Sequence, residues 1–226
     1  MDFLVHSRAT PAAIEAEDDP ELDGRHWSYM DRYADALTAR GPALGTDRCT
    51  WTGSIHVINL PSQAAARKFV DHEPYHRAGA YEQHRIWRFS NLLERTMWQF
   101  AGAADEPRFF VLAHPAPHQV RNRGPAPLAE VKQELRDRLV VYGALHNLDD
   151  HASPGVALAV QAPTRRALDT LLRDGLTCLR NDRSPRLDVR RSPLTARNGC
   201  SPLHTRTAEA SHRATSVGPA PTPVPN

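Results

Sequence analysis

The chain has 226 residues, 40% of them hydrophobic, with 28 Lys+Arg against 26 Asp+Glu for a formal net charge of +2. That length fits one large domain or two small ones, and no apolar run approaches the ~18–20 residues of a membrane-spanning helix. Only Lys68 and Lys132 are lysines; the remaining 26 basic residues are arginines interspersed with acids, which excludes the single-sign surface of a nucleic-acid binder.

The N-terminus, Met1 to Arg8, shows no basic start followed by a long apolar run, and Cys49, Cys178 and Cys200 lack paired spacing. Both point to a cytoplasmic protein with reduced thiols. A first strand is expected at Phe3–Arg8. A helix follows, with Trp27, Met30, Ala34 and Leu37 at three-to-four spacing and Asp23 as its N-cap. Next come a Gly41-Pro42 break, a second strand and a third strand around Ile55–Leu60. Pro61 ends that strand, and Ser62 caps a second helix. Arg85–Phe89 closes the unit.

The same order then recurs at an offset of 102: Gly41/Gly143, Gly53/Gly155, Pro61/Pro163, Ser62/Thr164 and Ala65/Ala167 match without a gap. The second series has a strand at Phe109–His114, a helix through Leu128, Val131 and Leu135, a Gly143-Ala144 break, two strands, a helix capped by Thr164 and a last strand at Leu187–Arg190. Each series reads βαββαβ, the ferredoxin-like order. The expected organisation is residues 1–91 as one unit and 92–107 as a linker carrying a short amphipathic helix on Leu93, Met97 and Phe100. Residues 108–191 form a degenerate second unit. Residues 192–226, rich in Ser, Thr, Pro and Ala, are expected to be a disordered tail.

Strand alternation nominates a polar face in the first unit. If Phe3, Val5, Ile55 and Val57 pack on the helices, His6, Arg8, Ser54 and His56 point into a cleft between sheets. Their second-unit counterparts to Ser54, His56 and Ile58 are Val156, Leu158 and Val160, so the polar face there has become apolar.

The segments Arg25-His26-Trp27-Ser28-Tyr29-Met30-Asp31-Arg32-Tyr33, Ala39-Arg40-Gly41-Pro42, Gly53-Ser54-Ile55-His56-Val57 and Phe69-Val70-Asp71-His72-Glu73-Pro74-Tyr75-His76-Arg77-Ala78-Gly79-Ala80-Tyr81 resemble the YCII-related family over residues 1–90. The resemblance implies an α+β barrel in which two ferredoxin-like units pack around a cleft. Relatives pair two chains; here the two units of one chain would form the barrel, giving a monomeric pseudo-dimer. It also implies an active site made of a helix-start histidine and an acid, normally the Asp of an Asp-Pro-Tyr motif. His26 falls on the histidine. Glu73 falls on the acid, keeping the charge and lengthening the reach by a methylene. The best-known family chemistry is dehydrochlorination of a chlorinated hydroxyquinol.

Placed in the first turn of a helix, His26 would tend to stay neutral, and a carboxylate within reach would orient it as general base or acid. Arg8 and His56 would bind an anionic or enolic oxygen, with His6 and Ser54 beside them; Tyr75 and Tyr81 either line the cleft or pack. The histidine spacing matches no metal motif, and Pro74 interrupts His72 and His76. No glycine-rich phosphate loop, GxSxG or Cys–His pattern occurs. The residues therefore read as a cofactor-free lyase or isomerase site for a small, anionic or aromatic substrate, without metal. Two alternatives stand beside it: a non-catalytic small-molecule-binding module, and a structural interaction protein that recruits through its tail.

Overall fold

The computed structural model describes residues 1–11, 13, 19–45, 47, 50–103, 105–114, 127–149, 155–176 and 186–191. All three cysteines and the expected tail lie outside these residues. In chain order the elements are β1 (Asp2–Ala9), α1 (Pro20–Asp31), β2 (Leu37–Leu44), β3 (Trp51–Asn59), α2 (Gln63–Asp71), α3 (Pro74–Arg77) and β4 (Tyr81–Asn91). The second half continues with β5 (Arg108–His114), α4 (Gln133–Arg136), β6 (Leu139–His146), β7 (Gly155–Gln161), α5 (Arg165–Gly175) and β8 (Arg186–Arg191). The fold is α+β, with a βαββαβ order in each half apart from the extra turn of α3.

The eight strands close one barrel in the order β1-β3-β2-β8-β5-β7-β6-β4. Each half contributes a four-stranded antiparallel sheet, and two seams join them. One seam pairs β4 with β6 from Arg88↔His146 to Asn91↔Gly143. Among the described residues, the other joins β2 to β8 through the pair Leu44↔Arg191. The interior is a single apolar cluster to which both halves contribute, including Leu4, Ile55, Val57 and Trp87 from the first and Phe110, Leu112, Ala157 and Ala159 from the second. Helices cover the outside. Phe3, Val5 and Ile58 pack outward on Tyr29, Met30, Phe69 and Val70; Val111, Leu158 and Val160 pack outward on Leu135, Leu168 and Leu172.

Both expected helix caps form: Ser62 Oγ accepts from the Ala65 N–H and Thr164 Oγ1 from the Ala167 N–H, each at 3.1 Å. Gly53 and Gly155 also occupy equivalent places. They have φ of 144° and 150°, and a side chain at either would collide with the neighbouring strand's carbonyl, that of Ser7 or Ala113. Only glycine accepts that backbone and that approach without strain.

Several expectations need correction. The first helix is capped by Asp19, whose Oδ1 accepts from the Glu21 and Leu22 N–H groups, with Pro20 at its first position. It therefore starts four residues before Asp23 would have placed it, and ends at Asp31. Ala34 falls in tight turns and Leu37 opens β2. Gly41-Pro42 and Gly143-Ala144 lie inside β2 and β6 rather than breaking the chain. The connector forms only a 3-10 turn, Met97–Gln99; its apolar residues divide between the barrel interior (Met97, Phe100) and the outer cluster (Leu93), so no single helical face serves them. Of the helix expected through Leu128, Val131 and Leu135, Leu128 sits in a 3-10 turn and only Gln133–Arg136 is α-helical. The Lys132 N–H donates to the Gly175 carbonyl (3.2 Å) instead of back along the chain, which stops a longer helix from propagating.

Candidate active site

His26 is the seventh residue of α1, and Glu73 immediately precedes α3. Pro74 at the first helical position fixes the turn there, and Glu73 acts as its N-cap: Oε2 accepts from the His76 N–H at 2.7 Å. The other carboxylate oxygen, Oε1, lies 2.6 Å from His26 Nδ1. Glu73 is 3% exposed, whereas the His26 side chain keeps 12% of its surface open. A buried carboxylate anchored by a backbone N–H thus holds Nδ1 as a donor, which makes Nε2 the acceptor nitrogen of the neutral ring. His26 stands in the second turn of α1 rather than the first, beyond the field of the helix end, which fades within one turn.

The β1–β3 register decides which faces meet. Leu4↔Val57 and His6↔Ile55 share the interior face, while Val5↔His56 and Ser7↔Ser54 share the helix face. The expectation that Ile55 and Val57 cover the helices is therefore reversed. Ser54 and His56 face the helices on the outside of the barrel, and the interior is packed with apolar side chains. The candidate site lies between sheet and helices.

There the structure brings together His26, Glu73, His56 and Tyr75. The His56 and Tyr75 rings lie 6.5 Å and 4.8 Å from that of His26. Trp27 meets the His26 ring edge-on at 5.4 Å. His56 is 3% exposed and its Nδ1 makes no hydrogen bond. Burial, followed by the charges of His26, Arg40 and His84, lowers its pKa to about 3, so it stands neutral at ordinary pH. Ser54 joins at one remove: its hydroxyl shares a 2.9 Å hydrogen bond with the Tyr81 hydroxyl, and Tyr81 in turn packs near Tyr75. Burial raises the Tyr81 pKa well above its usual range, which keeps the phenol protonated.

His6 and Arg8 do not join this group. His6 pairs with Ile55 and Arg85 toward the interior face. Arg8 is half-exposed at the end of β1, ion-paired to Glu82. The cation of the site is Arg40, which lies across the ladder from His56 with its guanidinium carbon 5.0 Å from the Trp27 ring centre. Sequence reasoning missed it, although the β2–β3 pairing that aligns Arg40 with His56 would have shown it. It also missed a polar line on the same face: Ser7 Oγ to His84 Nδ1 (2.9 Å), then His84 Nε2 to His76 Nδ1 (2.7 Å). Burial lowers the His84 pKa to about 4. Among the described residues no group of three or more His, Cys, Asp or Glu side chains is placed to hold a metal ion, and no helix is long and apolar enough to cross a membrane.

Residues 1–90 match the model of the YCII-related domain. No curated protein matches the chain. Among solved structures, 5-chloro-2-hydroxyhydroquinone dehydrochlorinase from Burkholderia phenoliruptrix AC1100, in complex with 2,5-dihydroxybenzoquinone, is 23% identical with a TM-score of 0.36, over 39% of this chain and 92% of that one. A putative monooxygenase from Lactobacillus acidophilus NCFM is 7% identical with a TM-score of 0.48, over 84% of this chain and 92% of that one. Chlorite dismutase from Candidatus Nitrospira defluvii, in complex with imidazole, is 9% identical with a TM-score of 0.49, over 84% and 90%.

Proposed function

We propose that the YCII-related segment of this chain is a cofactor-free acid–base site acting on a small molecule, by proton transfer next to a carbonyl or by elimination. The carrying observation is the 2.6 Å contact between His26 Nδ1 and the buried Glu73 carboxylate. Glu73 fixes the tautomer, Nε2 takes the substrate proton, and the carboxylate stabilises the imidazolium that results. Arg40 replaces Arg8 as the cation beside a developing oxyanion or enolate. Neutral His56 offers a hydrogen bond to the same oxygen, and Tyr75 forms an aromatic wall beside the His26 ring.

Metabolite profiling of a deletion strain complemented with wild type, His26→Ala or Glu73→Gln tests this reading. Gln still presents an oxygen to the His76 N–H, so the cap survives while the charge is lost. One compound should accumulate with either variant and be cleared by wild type, with folding verified by circular dichroism. Full complementation by both variants would refute the reading. A second reading, a binding module without catalysis, is favoured by one feature: Glu73 has a structural duty as the α3 cap that explains its burial. In that case no compound would accumulate selectively with either variant, because wild type would clear none.

A further inference from the structure

A cavity of about 350 Å³ lies in a different part of the molecule, where the connector meets the second half. Its lining includes Leu93, Arg95, Phe100, Leu128, Arg136 and Asp137, none of them from the His26–Glu73 site. The two arginines are fixed by backbone carbonyls. Arg95 Nη2 donates to the Leu139 carbonyl, and its guanidinium carbon lies 5.5 Å from the Phe100 ring centre. Arg136 Nη2 donates to the carbonyls of Ala129 (3.2 Å) and Val131 (3.0 Å). Among the described residues neither guanidinium has a carboxylate within ion-pair distance, and each keeps a buried Nε without a hydrogen bond.

Desolvating a cation without a counter-charge is unfavourable. Two such cations on one cavity, both anchored through one nitrogen, present their remaining donors pre-organised for an incoming anion. Leu93, Leu128 and Phe100 supply an apolar wall for the rest of the ligand. The volume falls at the small end of the ~300–1,000 Å³ range of small-molecule sites. Asp137 accepts from Gln133 Nε2 (2.5 Å) and places one negative charge on the lining, which disfavours a dianion.

We infer that this cavity is a second small-molecule site, selective for an aromatic monocarboxylate held between Arg95 and Arg136. The inference does not depend on the chemistry of the His26 site. It is tested by calorimetric titration of the full chain with benzoate and with its neutral analogue benzamide. Benzoate should bind at least about tenfold more tightly than benzamide, since a charge-assisted contact contributes that much. Arg95→Gln and Arg136→Gln should each weaken benzoate about tenfold, Arg95→Lys and Arg136→Lys less so, and His26→Ala not at all. Equal binding of benzoate and benzamide, or no benzoate binding at about 10 mM, a concentration that would saturate even a millimolar site, would overturn the inference. A loss of benzoate binding in His26→Ala would also overturn it, by placing the carboxylate at the other site. Should the glutamine variants fail to fold, the lysine variants, read beside His26→Ala, still decide.

Discussion

Replacing His56 by leucine, the residue type at the offset position 158, should change how the protein responds to acid. In the folded state His56 titrates near 3, against an ordinary value of 6.5. The unfolded chain therefore takes up a proton as pH falls through 6.5, while the folded chain does not until pH approaches 3. Stability conferred by the neutral ring is complete above 6.5 and is lost progressively below it. Between pH 7 and pH 5 the unfolded histidine gains most of one proton and His56 essentially none, which integrates to about 2 kcal/mol of lost stability. This value is insensitive to the folded pKa provided that it stays below about 4. Urea unfolding followed by tryptophan fluorescence at pH 7 and pH 5 supplies the measurement. Wild type should lose about 2 kcal/mol more than His56→Leu across that interval, since His84 contributes in the same direction to both proteins and cancels. At pH 7 the variant should also be more stable, by about 1 kcal/mol or more, because His56 buries an Nδ1 without a partner. Its ability to clear substrate should fall if His56 contacts the reacting oxygen. Equal acid losses in the two proteins would refute the argument, since His56 would then be titrating in the folded state as it does in the unfolded one.

Two further expectations concern the frame. Gly24→Ala, at an exposed α1 position where an added Cβ meets nothing within 4 Å, should raise stability by about 0.5–1 kcal/mol. Gly53→Ala should lower it by about 2 kcal/mol or more, from strain and backbone collision, and thermal melts of the pair would show opposite shifts. Light scattering on the full chain should give a monomer, because the strands of one chain already close the barrel; an obligate dimer would count against this.

The element order of each half was legible, and so were the Ser62 and Thr164 caps, where the signal is local: an apolar run ended by Pro and a hydroxyl residue. The facing of β3 was not. In a closed barrel covered by helices both faces of a strand are buried, so Ile55, Val57 and Ile58 carry no alternation that tells inside from outside. That one ambiguity put the site in the barrel interior and recruited Arg8, when pairing β2 against β3 would have selected Arg40. The start of α1 was misread because Asp19-Pro20 and Asp23 are both reasonable starts; the proline, which needs no N–H donor at a first position, decides for Asp19. His26 and Glu73 stand 47 residues apart, and spacing alone offers no reason to join them. The family resemblance did so, and the turn at Pro74 shows how.

The two seams of the barrel differ in a way that bears on what a foreign strand would meet there. Among the described residues, four pairs join β4 to β6 and one pair, Leu44↔Arg191, joins β2 to β8. A sheet edge is a template on which a foreign strand can add, but β2 is not bare away from that pair: the Arg40 N–H donates to Met97 Sδ in the connector (3.3 Å). Pro42 lies on the same strand and has no N–H to offer an incoming chain. The same absence of an N–H that would weaken a central strand is tolerated at an edge. The proline and the Met97 sulfur thus keep β2 from presenting a continuous row of free donors.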